Sequence, residues 1–225
     1  MMRSVKGSEM MKFLTRLVVV LTFAGAFQAS AEALKFDNSW VEQGFLRLWT
    51  NDYGLKGRQL QVSSDGTVSM LYRSVPKSAW GSKMASWGWS VAQSVKATDL
   101  TRKGGDDRNL AIYFVFMDAK DADRLSGASI RKVLKNSSTK ALVYVWGGDY
   151  PRGKILFSPY GPNQLKTVAS RKAGKGAFNE NVDLAADYQR AFGANPGVLV
   201  GVGVSADSDD TDGMINATIK DLKVF

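Results

Sequence analysis

Alternating apolar and polar positions run along most of the chain and predict many short β-strands. Residues 59–63 and 67–72 alternate on either side of Asp65-Gly66, a dipeptide typical of β-hairpin turns. Three later runs are apolar at nearly every position, which predicts strands buried on both faces: residues 110–116, 140–146 and 198–204. In the last of these, valines at alternate positions share one predicted face, and Gly201 and Gly203 leave room on the other for a large group to pack closely, such as an indole or the helix.

One stretch, residues 184–192, has the 3.6-residue period of an amphipathic helix. Its large apolar side chains fall on a single stripe at Leu184, Tyr188 and Phe192. The residue before it, Asp183, is a suitable N-cap, and the residue after it is a glycine, which commonly ends a helix.

Glycine and proline turns separate the other runs, and residues 121–135 predict at most one irregular helix. An open α/β sheet would need several crossover helices between its strands. The pattern therefore predicts an all-β fold, a two-sheet antiparallel jelly-roll-like sandwich with one short helix. Since no repeat or linker interrupts residues 32–225, this stretch is predicted to be a single domain.

The N-terminal segment, residues 1–31, has the three parts of a cleavable signal peptide. A basic stretch at residues 11–16 precedes an apolar run at residues 17–27, and Ala29-Ser30-Ala31 is a small-x-small cleavage sequence. The apolar run is shorter than the about 20 residues that a spanning helix needs. We therefore expect cleavage after Ala31 and a periplasmic or secreted product with no transmembrane segment; a buried N-terminal helix is the alternative.

Composition and charge restrict the chemistry. The chain has a formal net charge of +9, which becomes +6 once the leader's four basic residues and one acidic residue are removed. An anionic envelope surface is a better partner for this charge than nucleic acid, because no groove-reading motif accompanies it. Solubility alone explains the charge better than either partner. The chain contains no cysteine and no histidine. Disulfides, serine–histidine and cysteine–histidine catalysis and histidine-ligated zinc are therefore excluded.

Residues 207–213 form an acidic loop between two predicted strands. Four of its seven residues are aspartates, which makes calcium a candidate cofactor with these ligands: Asp207, Asp209, Asp210 and Asp212. A helix–loop–helix calcium motif also needs flanking helices and a glutamate at its twelfth position, and the sequence has neither. A solvated acidic turn explains the same residues without a metal.

A second acidic pair, Asp106-Asp107, comes shortly before the strand predicted at residues 110–116. Glycoside cleavage requires two carboxylates. If the two loops meet, Asp106 or Asp107 together with Asp209 or Asp210 would supply them. Gly-Gly-Asp-Asp is also a turn sequence whose aspartates bond local amides. A carboxylate-dependent glycoside hydrolase or lyase is thus an alternative function.

Aromatic side chains near these loops predict a saccharide-binding surface. Aromatic rings stack on the apolar faces of sugars, while charged side chains bond the hydroxyls. The candidate ligand-binding residues are Trp87, Trp89, Arg108, Tyr113, Tyr144 and Trp146. Core packing is the other explanation for the paired indoles, which share one strand face. Because binding needs no tuned pKa, a saccharide or glycan-like ligand is the leading hypothesis, ahead of cleavage and of a structural envelope protein without catalysis.

Several short motifs follow one another in the order found in a bacterial family. They are Trp87-Gly88-Trp89, residues 103–107, residues 143–147, residues 187–193 and residues 207–211. Over residues 85–225 the chain resembles the domain-of-unknown-function 3047 family, whose pattern has an asparagine where this chain has Asp210. The resemblance implies an exported β-sandwich related in style to carbohydrate-recognising jelly rolls, and it implies no particular activity.

Overall fold

A computed structural model describes residues 31–45 and 49–225, which form two β-sheets packed face to face. The predicted leader lies outside the described residues except for Ala31, so its cleavage stays a prediction. Within the described ranges, no helix combines the length and apolar character needed to cross a membrane.

Thirteen strands in the described residues build the two sheets. They are β1 (Glu32–Ala33), β2 (Val41–Gly44), β3 (Asp52–Lys56), β4 (Gln59–Asp65), β5 (Val68–Ser74), β6 (Met84–Gln93), β7 (Arg108–Met117), β8 (Lys140–Trp146), β9 (Ile155–Phe157), β10 (Leu165–Arg171), β11 (Gly176–Asp183), β12 (Val198–Asp207) and β13 (Met214–Val224). The six-stranded sheet has the order β11-β6-β13-β4-β3, with β1 also paired to β13. The seven-stranded sheet has the order β2-β5-β12-β7-β8-β10-β9. The predicted jelly-roll-like sandwich is confirmed, with one exception to its antiparallel pairing: β8 and β10 run parallel.

Helices are few, but there are more than the one predicted. The described residues contain α1 (Ala119–Arg124), α2 (Ile130–Leu134) and α3 (Leu184–Phe192). α3 has the predicted bounds, because the Asp183 carboxylate accepts a hydrogen bond from the Ala186 N–H at 2.9 Å and Gly193 takes a left-handed φ of 69°. The polar stretch before β8 forms two short helices instead of one irregular helix, with Gly127 at a φ of 76° between them.

The main core lies between the sheets. The predicted inner face of β7 supplies Leu110, Ile112, Phe114 and Phe116, each at most 1% exposed. The opposite sheet contributes large rings, and clusters of this kind dominate the energetics of a protein interior. The period-2 pattern of β7 thus predicted its inward-facing residues correctly.

Asp65-Gly66 does not form the predicted hairpin. β4 pairs with β13 and β3, whereas β5 pairs with β12 and β2, so the turn carries the chain from one sheet to the other. Gly66 has the positive φ of 59° that favours glycine in a tight turn. The dipeptide therefore indicates a turn correctly, but it does not decide which strands the flanking segments pair with.

The register of β12 also differs from the predicted pattern. Its pairing with β7 shifts between Leu199 and Gly201, as at a β-bulge. Val200 therefore belongs to a cluster on the outer face of the sheet, while Val202 and Val204 lie in the main core. The prediction that all the alternate valines share one face is wrong for this reason.

The outer face of the seven-stranded sheet is only partly covered. α1 and α2 pack against one part of it in a cluster that includes Ile130, Val133 and Val115. Leu100 and Leu156 pack against another part. A pocket lies on the same face, and the Tyr113 side chain belongs to its lining.

Candidate functional site

The two acidic loops meet at one end of the seven-stranded sheet. β7 and β12 are antiparallel neighbours, and Asp207 at the end of β12 pairs in register with Arg108 at the start of β7. The carboxylate oxygens of Asp107, Asp209 and Asp210 consequently lie within 4.8 Å of one another. The convergence on which the cleavage hypothesis depended is present in the fold.

Asp107 anchors the acidic loop. Its carboxylate accepts hydrogen bonds from the backbone N–H groups of Asp210 at 3.2 Å and Thr211 at 2.7 Å, and from the Thr211 hydroxyl. The residue has no exposed surface. Because both oxygens are already engaged by the loop, Asp107 is not placed to transfer a proton to a ligand. The amides that it binds are distant along the chain, so the bonding to local amides considered above does not explain its position.

Arg108 joins the two loops by ion pairing. Its Nη1 lies 3.1 Å from Asp106 Oδ2 and 2.8 Å from Asp207 Oδ2, and all three side chains are largely buried. Its Nη2 donates to the Tyr113 hydroxyl at 3.1 Å. The hydroxyl of Tyr160 donates to the other oxygen of Asp106 at 2.9 Å. Removing one charged member would leave a buried charge unpaired, so the intact ion pairs are favoured. Their hydrogen bonds to Tyr113 and Tyr160 then position both tyrosines.

Asp207 has a strongly perturbed carboxyl group. Burial raises the pKa of Asp207 to about 8 against the opposing effect of Arg108, and the Asp209 carboxyl within hydrogen-bonding reach raises this pKa further. Asp207 Oδ1 is buried and accepts no hydrogen bond from any residue in the described part of the chain. A buried acceptor without a donor costs free energy, so a ligand that donates to this oxygen would be favoured.

These groups line a pocket of about 420 Å³ on the outer face of the seven-stranded sheet. Its polar lining includes Arg108, Gln164, Asp207, Asp209 and Asp210, and its apolar lining includes Phe45, Met70, Tyr113, Tyr160 and Leu165. Tyr160 is 60% exposed and Phe45 is 43% exposed. This volume and this mixture of apolar walls with a few polar groups are typical of sites for small molecules.

The candidate calcium ligands are only partly assembled. Asp209 and Asp210 lie in the acidic triad with Asp107, whereas Asp212 lies outside it, with its carboxylate beside Gly66. Three carboxylates are the hard oxygen donors that calcium prefers, so the triad could hold a metal ion. The oxygens of Asp107 already accept hydrogen bonds from the loop, however, so Asp209 and Asp210 are the members of the triad that are more available to an ion.

Four of the six predicted ligand-binding residues lie in the core. Trp87, Trp89, Tyr144 and Trp146 are 1–2% exposed and pack between the sheets. The rings of Trp87 and Trp89 contact each other edge to face, with centroids 5.4 Å apart. A ring enclosed in this way has no face for a sugar, and core packing is the correct explanation for these four. Arg108 and Tyr113 do line the pocket.

Sequence reasoning missed the exposed aromatic residues of the pocket. Phe45 follows β2, and Tyr160 lies in the loop Pro159-Tyr160-Gly161-Pro162 between β9 and β10. An aromatic residue in a loop stiffened by two prolines was a signal for Tyr160, because loops carry many binding residues. No comparable local signal marks Phe45, since its place in the pocket depends on the pairing of β2 with β5.

The sequence profile of a family described as "Protein of unknown function (DUF3047)" matches residues 38–223. This confirms the resemblance drawn from the motifs and extends it to the N-terminal strands. A search of curated proteins gave no match.

Solved structures give distant matches to the fold. The xyloglucanase domain of NopAA, a type three effector from Sinorhizobium fredii in complex with cellobiose, has a TM-score of 0.42 and 10% identity, covering 87% of this chain and 96% of that one. The family 11 carbohydrate-binding module from Clostridium thermocellum in complex with a β-1,3-1,4-mixed-linked tetrasaccharide has a TM-score of 0.41 and 9% identity, covering 87% and 95%. The family 11 xylanase from Neocallimastix patriciarum has a TM-score of 0.39 and 10% identity, covering 87% and 94%.

Proposed function

The chain belongs to the domain-of-unknown-function 3047 family, whose description assigns no activity, and we propose from its pocket that it binds a saccharide or glycan-like ligand. One observation carries this proposal. A single pocket of about 420 Å³ combines the exposed ring of Tyr160 with the carboxylates of Asp207, Asp209 and Asp210. Rings and carboxylates together match the two kinds of surface that a sugar presents.

A pyranose has an apolar face of C–H groups and an edge of hydroxyls. The rings of Tyr160 and Phe45 supply apolar surface that is free to stack. The carboxylates of Asp209 and Asp210 accept hydrogen bonds from hydroxyls, and Gln164 can both donate and accept. The Arg108 network keeps Tyr113 and Tyr160 in place before the ligand arrives. Such preorganisation reduces the entropy lost on binding.

Glycoside cleavage is less well supported by the same geometry. Asp106 is paired with Arg108 and bonded by Tyr160, and Asp107 is enclosed by the acidic loop. Neither group faces a ligand as a free acid or base, although the loops meet closely enough for carboxylate chemistry. We therefore place binding ahead of hydrolysis, and a binding assay that also detects products separates the two.

Isothermal titration calorimetry with oligosaccharides of about four units tests the proposal. The Tyr160→Ala variant is expected to bind its best ligand at least about tenfold more weakly, because the stacking surface is lost. Phe157→Ala is the matched control: Phe157 is similarly exposed at 66% but is not part of the pocket lining, so its removal should leave the affinity unchanged.

The same mixtures are then analysed by chromatography for shortened oligosaccharides. The expected result is that the ligand is recovered intact. Binding that is equally weak for the unaltered chain and for both variants across α- and β-linked panels would refute the proposal and leave the structural envelope role. Release of products that stops in Asp209→Asn would instead support the hydrolase.

Calcium at the acidic triad and export to the periplasm belong to the same proposal. Calcium is the ion that a set of carboxylate oxygens favours, and the titration is therefore run both with chelator and with added calcium. A gain in affinity with calcium, lost in Asp210→Asn, would support a metal role. The N-terminal leader pattern supports a site of action outside the cytoplasm, where glycans of the envelope are available.

A further inference from the structure

The pocket has an excess of negative charge within a basic chain. Three aspartates line it, Asp207, Asp209 and Asp210, against the single arginine Arg108. That arginine is already paired with Asp207 and with the buried Asp106. The whole chain has a net charge of +9, so the acidity of the pocket is a local feature. A positively charged ligand complements such a wall.

One hydrogen-bond acceptor of this wall has no donor among the described residues. Asp207 Oδ1 is buried, and no residue within the described ranges donates to it. Asp209, two residues further along the loop, lines the same pocket, so two carboxyl groups lie on one wall. Burial raises the pKa of Asp207 to about 8, and a cation beside its carboxyl favours the ionised form, which can only accept hydrogen bonds. A group that donates several hydrogen bonds and carries positive charge would satisfy both.

We propose that the ligand is a saccharide with a free amine, as in glucosamine units, and that its ammonium group binds between Asp207 and Asp209. An ammonium group has three N–H donors and a full positive charge, whereas a hydroxyl has one O–H donor and no charge. This inference rests on the saccharide binding proposed above and adds the class of sugar. A uronic acid is expected to bind worst, because its carboxylate would lie against three others.

One basic side chain lies near the mouth of the pocket. Lys103 is exposed, and its Nζ lies 5.5 Å from the centroid of the Tyr160 ring. Water and salt screen an exposed lysine far more than a buried carboxylate. The aspartates deeper in the pocket therefore determine which ligand charge is preferred, while Lys103 shows that a cation is accommodated beside the ring.

A metal ion is the competing cation. Calcium would use the triad of Asp107, Asp209 and Asp210, to which Asp207 does not belong. An ammonium group uses Asp207 and Asp209 and requires no particular coordination number. The two cations share Asp209, so they would compete, and a titration in chelator measures amine binding alone.

Calorimetry on the chain from residue 32 to residue 225, with chelator present, tests the inference. Three tetrasaccharides of equal length are compared: a glucosamine tetramer, its N-acetylated form and a neutral glucan tetramer. The free-amine tetramer is expected to bind at least about tenfold more tightly than the other two. Part of this advantage should remain at about 0.3 M salt, because the Asp207 side chain is buried.

Asp209→Asn and Asp212→Asn form a matched pair of variants in one loop. Each removes one carboxylate, but only Asp209 lines the pocket. The ratio of amine to neutral affinity is expected to fall from about ten to about two in Asp209→Asn and to stay near ten in Asp212→Asn. Equal changes in both variants would mean that the loop acts only through its overall charge, which contradicts the inference.

The remaining outcomes separate this inference from the proposed function. Equal binding of the three tetramers, or tighter binding of the acetylated one, overturns the amine while saccharide binding stands. Absence of binding by all three overturns the amine, while the α- and β-linked panels described above decide saccharide binding separately. Spermidine binding as tightly as the amine tetramer overturns recognition of a sugar, and neutral binding that rises tenfold on adding calcium makes the metal, not an amine, the cation of the site.

Discussion

At the scale of single residues, the buried carboxylate of Asp107 determines the shape of the acidic loop. Repulsion among Asp207, Asp209 and Asp210 would by itself spread such a loop into solvent. Three donors from Asp210 and Thr211 instead hold it against β7. The sequence showed both acidic segments, but it could not show that one segment supplies the hydrogen-bond acceptor for the other, since they lie about a hundred residues apart.

Replacing Asp107 with alanine is expected to lower the free energy of unfolding by about 3 kcal/mol. The change leaves two backbone N–H groups of the loop without their acceptor and removes the fully buried carboxylate that anchors the loop. Urea unfolding measures the loss, and faster amide exchange at residues 208–213 should accompany it. Asp212→Asn, in the exposed part of the same loop, is the control: asparagine tolerates the positive φ of 48° at this position, so stability should stay within about 0.5 kcal/mol of the unaltered chain.

At the scale of elements, β12 shows how two glycines admit close packing on a central strand. The sequence predicted that a large group packs against Gly201 and Gly203. In the structure, the groups that pack there are a tyrosine and a methionine side chain. The Tyr72 ring lies directly over Gly201, and Met70 lies over Gly203 with its Sδ 3.2 Å from the place a Cβ would occupy. The prediction of room for an indole or a helix was correct in kind but named the wrong groups.

Gly201→Ala is expected to lower the free energy of unfolding by about 2 kcal/mol or more. Its Cβ would overlap the buried Tyr72 ring, and overpacked sites of this kind relieve the overlap only by moving backbone or side chains. Thermal unfolding measures the effect. Gly81→Ala provides the comparison, because its added Cβ meets no described atom within 4 Å; a similar loss in both variants would show that chain flexibility rather than packing is responsible.

At the scale of the whole molecule, charge is distributed unevenly. The chain is basic overall, whereas the lining of the pocket is acidic. If the chain is exported as proposed, its net positive charge is compatible with contact with an anionic envelope surface, and an acidic pocket favours ligands of the opposite sign. The predicted cleavage after Ala31 would leave β1 complete, since this strand begins at Glu32 and pairs with the end of β13.

Expression of the full chain in a bacterium is expected to yield a periplasmic protein whose N-terminus is Glu32. Mass spectrometry of the periplasmic fraction checks the terminus. A charge in the apolar run, as in Val20→Arg, should retain the uncleaved chain in the cytoplasm, because the run is no longer apolar enough to be recognised. A chain that starts at Glu32 serves as the control for retention, and an uncleaved chain in the periplasm would contradict the prediction.

The sequence by itself determined the fold class, several of the elements and the chemistry that is excluded. The inner face of β7, the bounds of α3 and the all-β sandwich follow from local period, capping residues and turn residues, which act within a few positions. The absence of histidine and cysteine excludes their chemistry whatever the structure is. These properties depend on short-range physics, and they were predicted with few errors.

Only the tertiary structure decided which residues form the site. Trp87, Trp89, Tyr144 and Trp146 are as aromatic as Tyr160, but their strand faces point between the sheets, while the proline-bounded loop places Tyr160 outside. Sheet assignment is a long-range choice among strands: Asp65-Gly66 could not reveal that β4 and β5 join different sheets. Burial and pairing of distant segments, which no local pattern encodes, therefore turned two acidic loops and one exposed ring into a pocket.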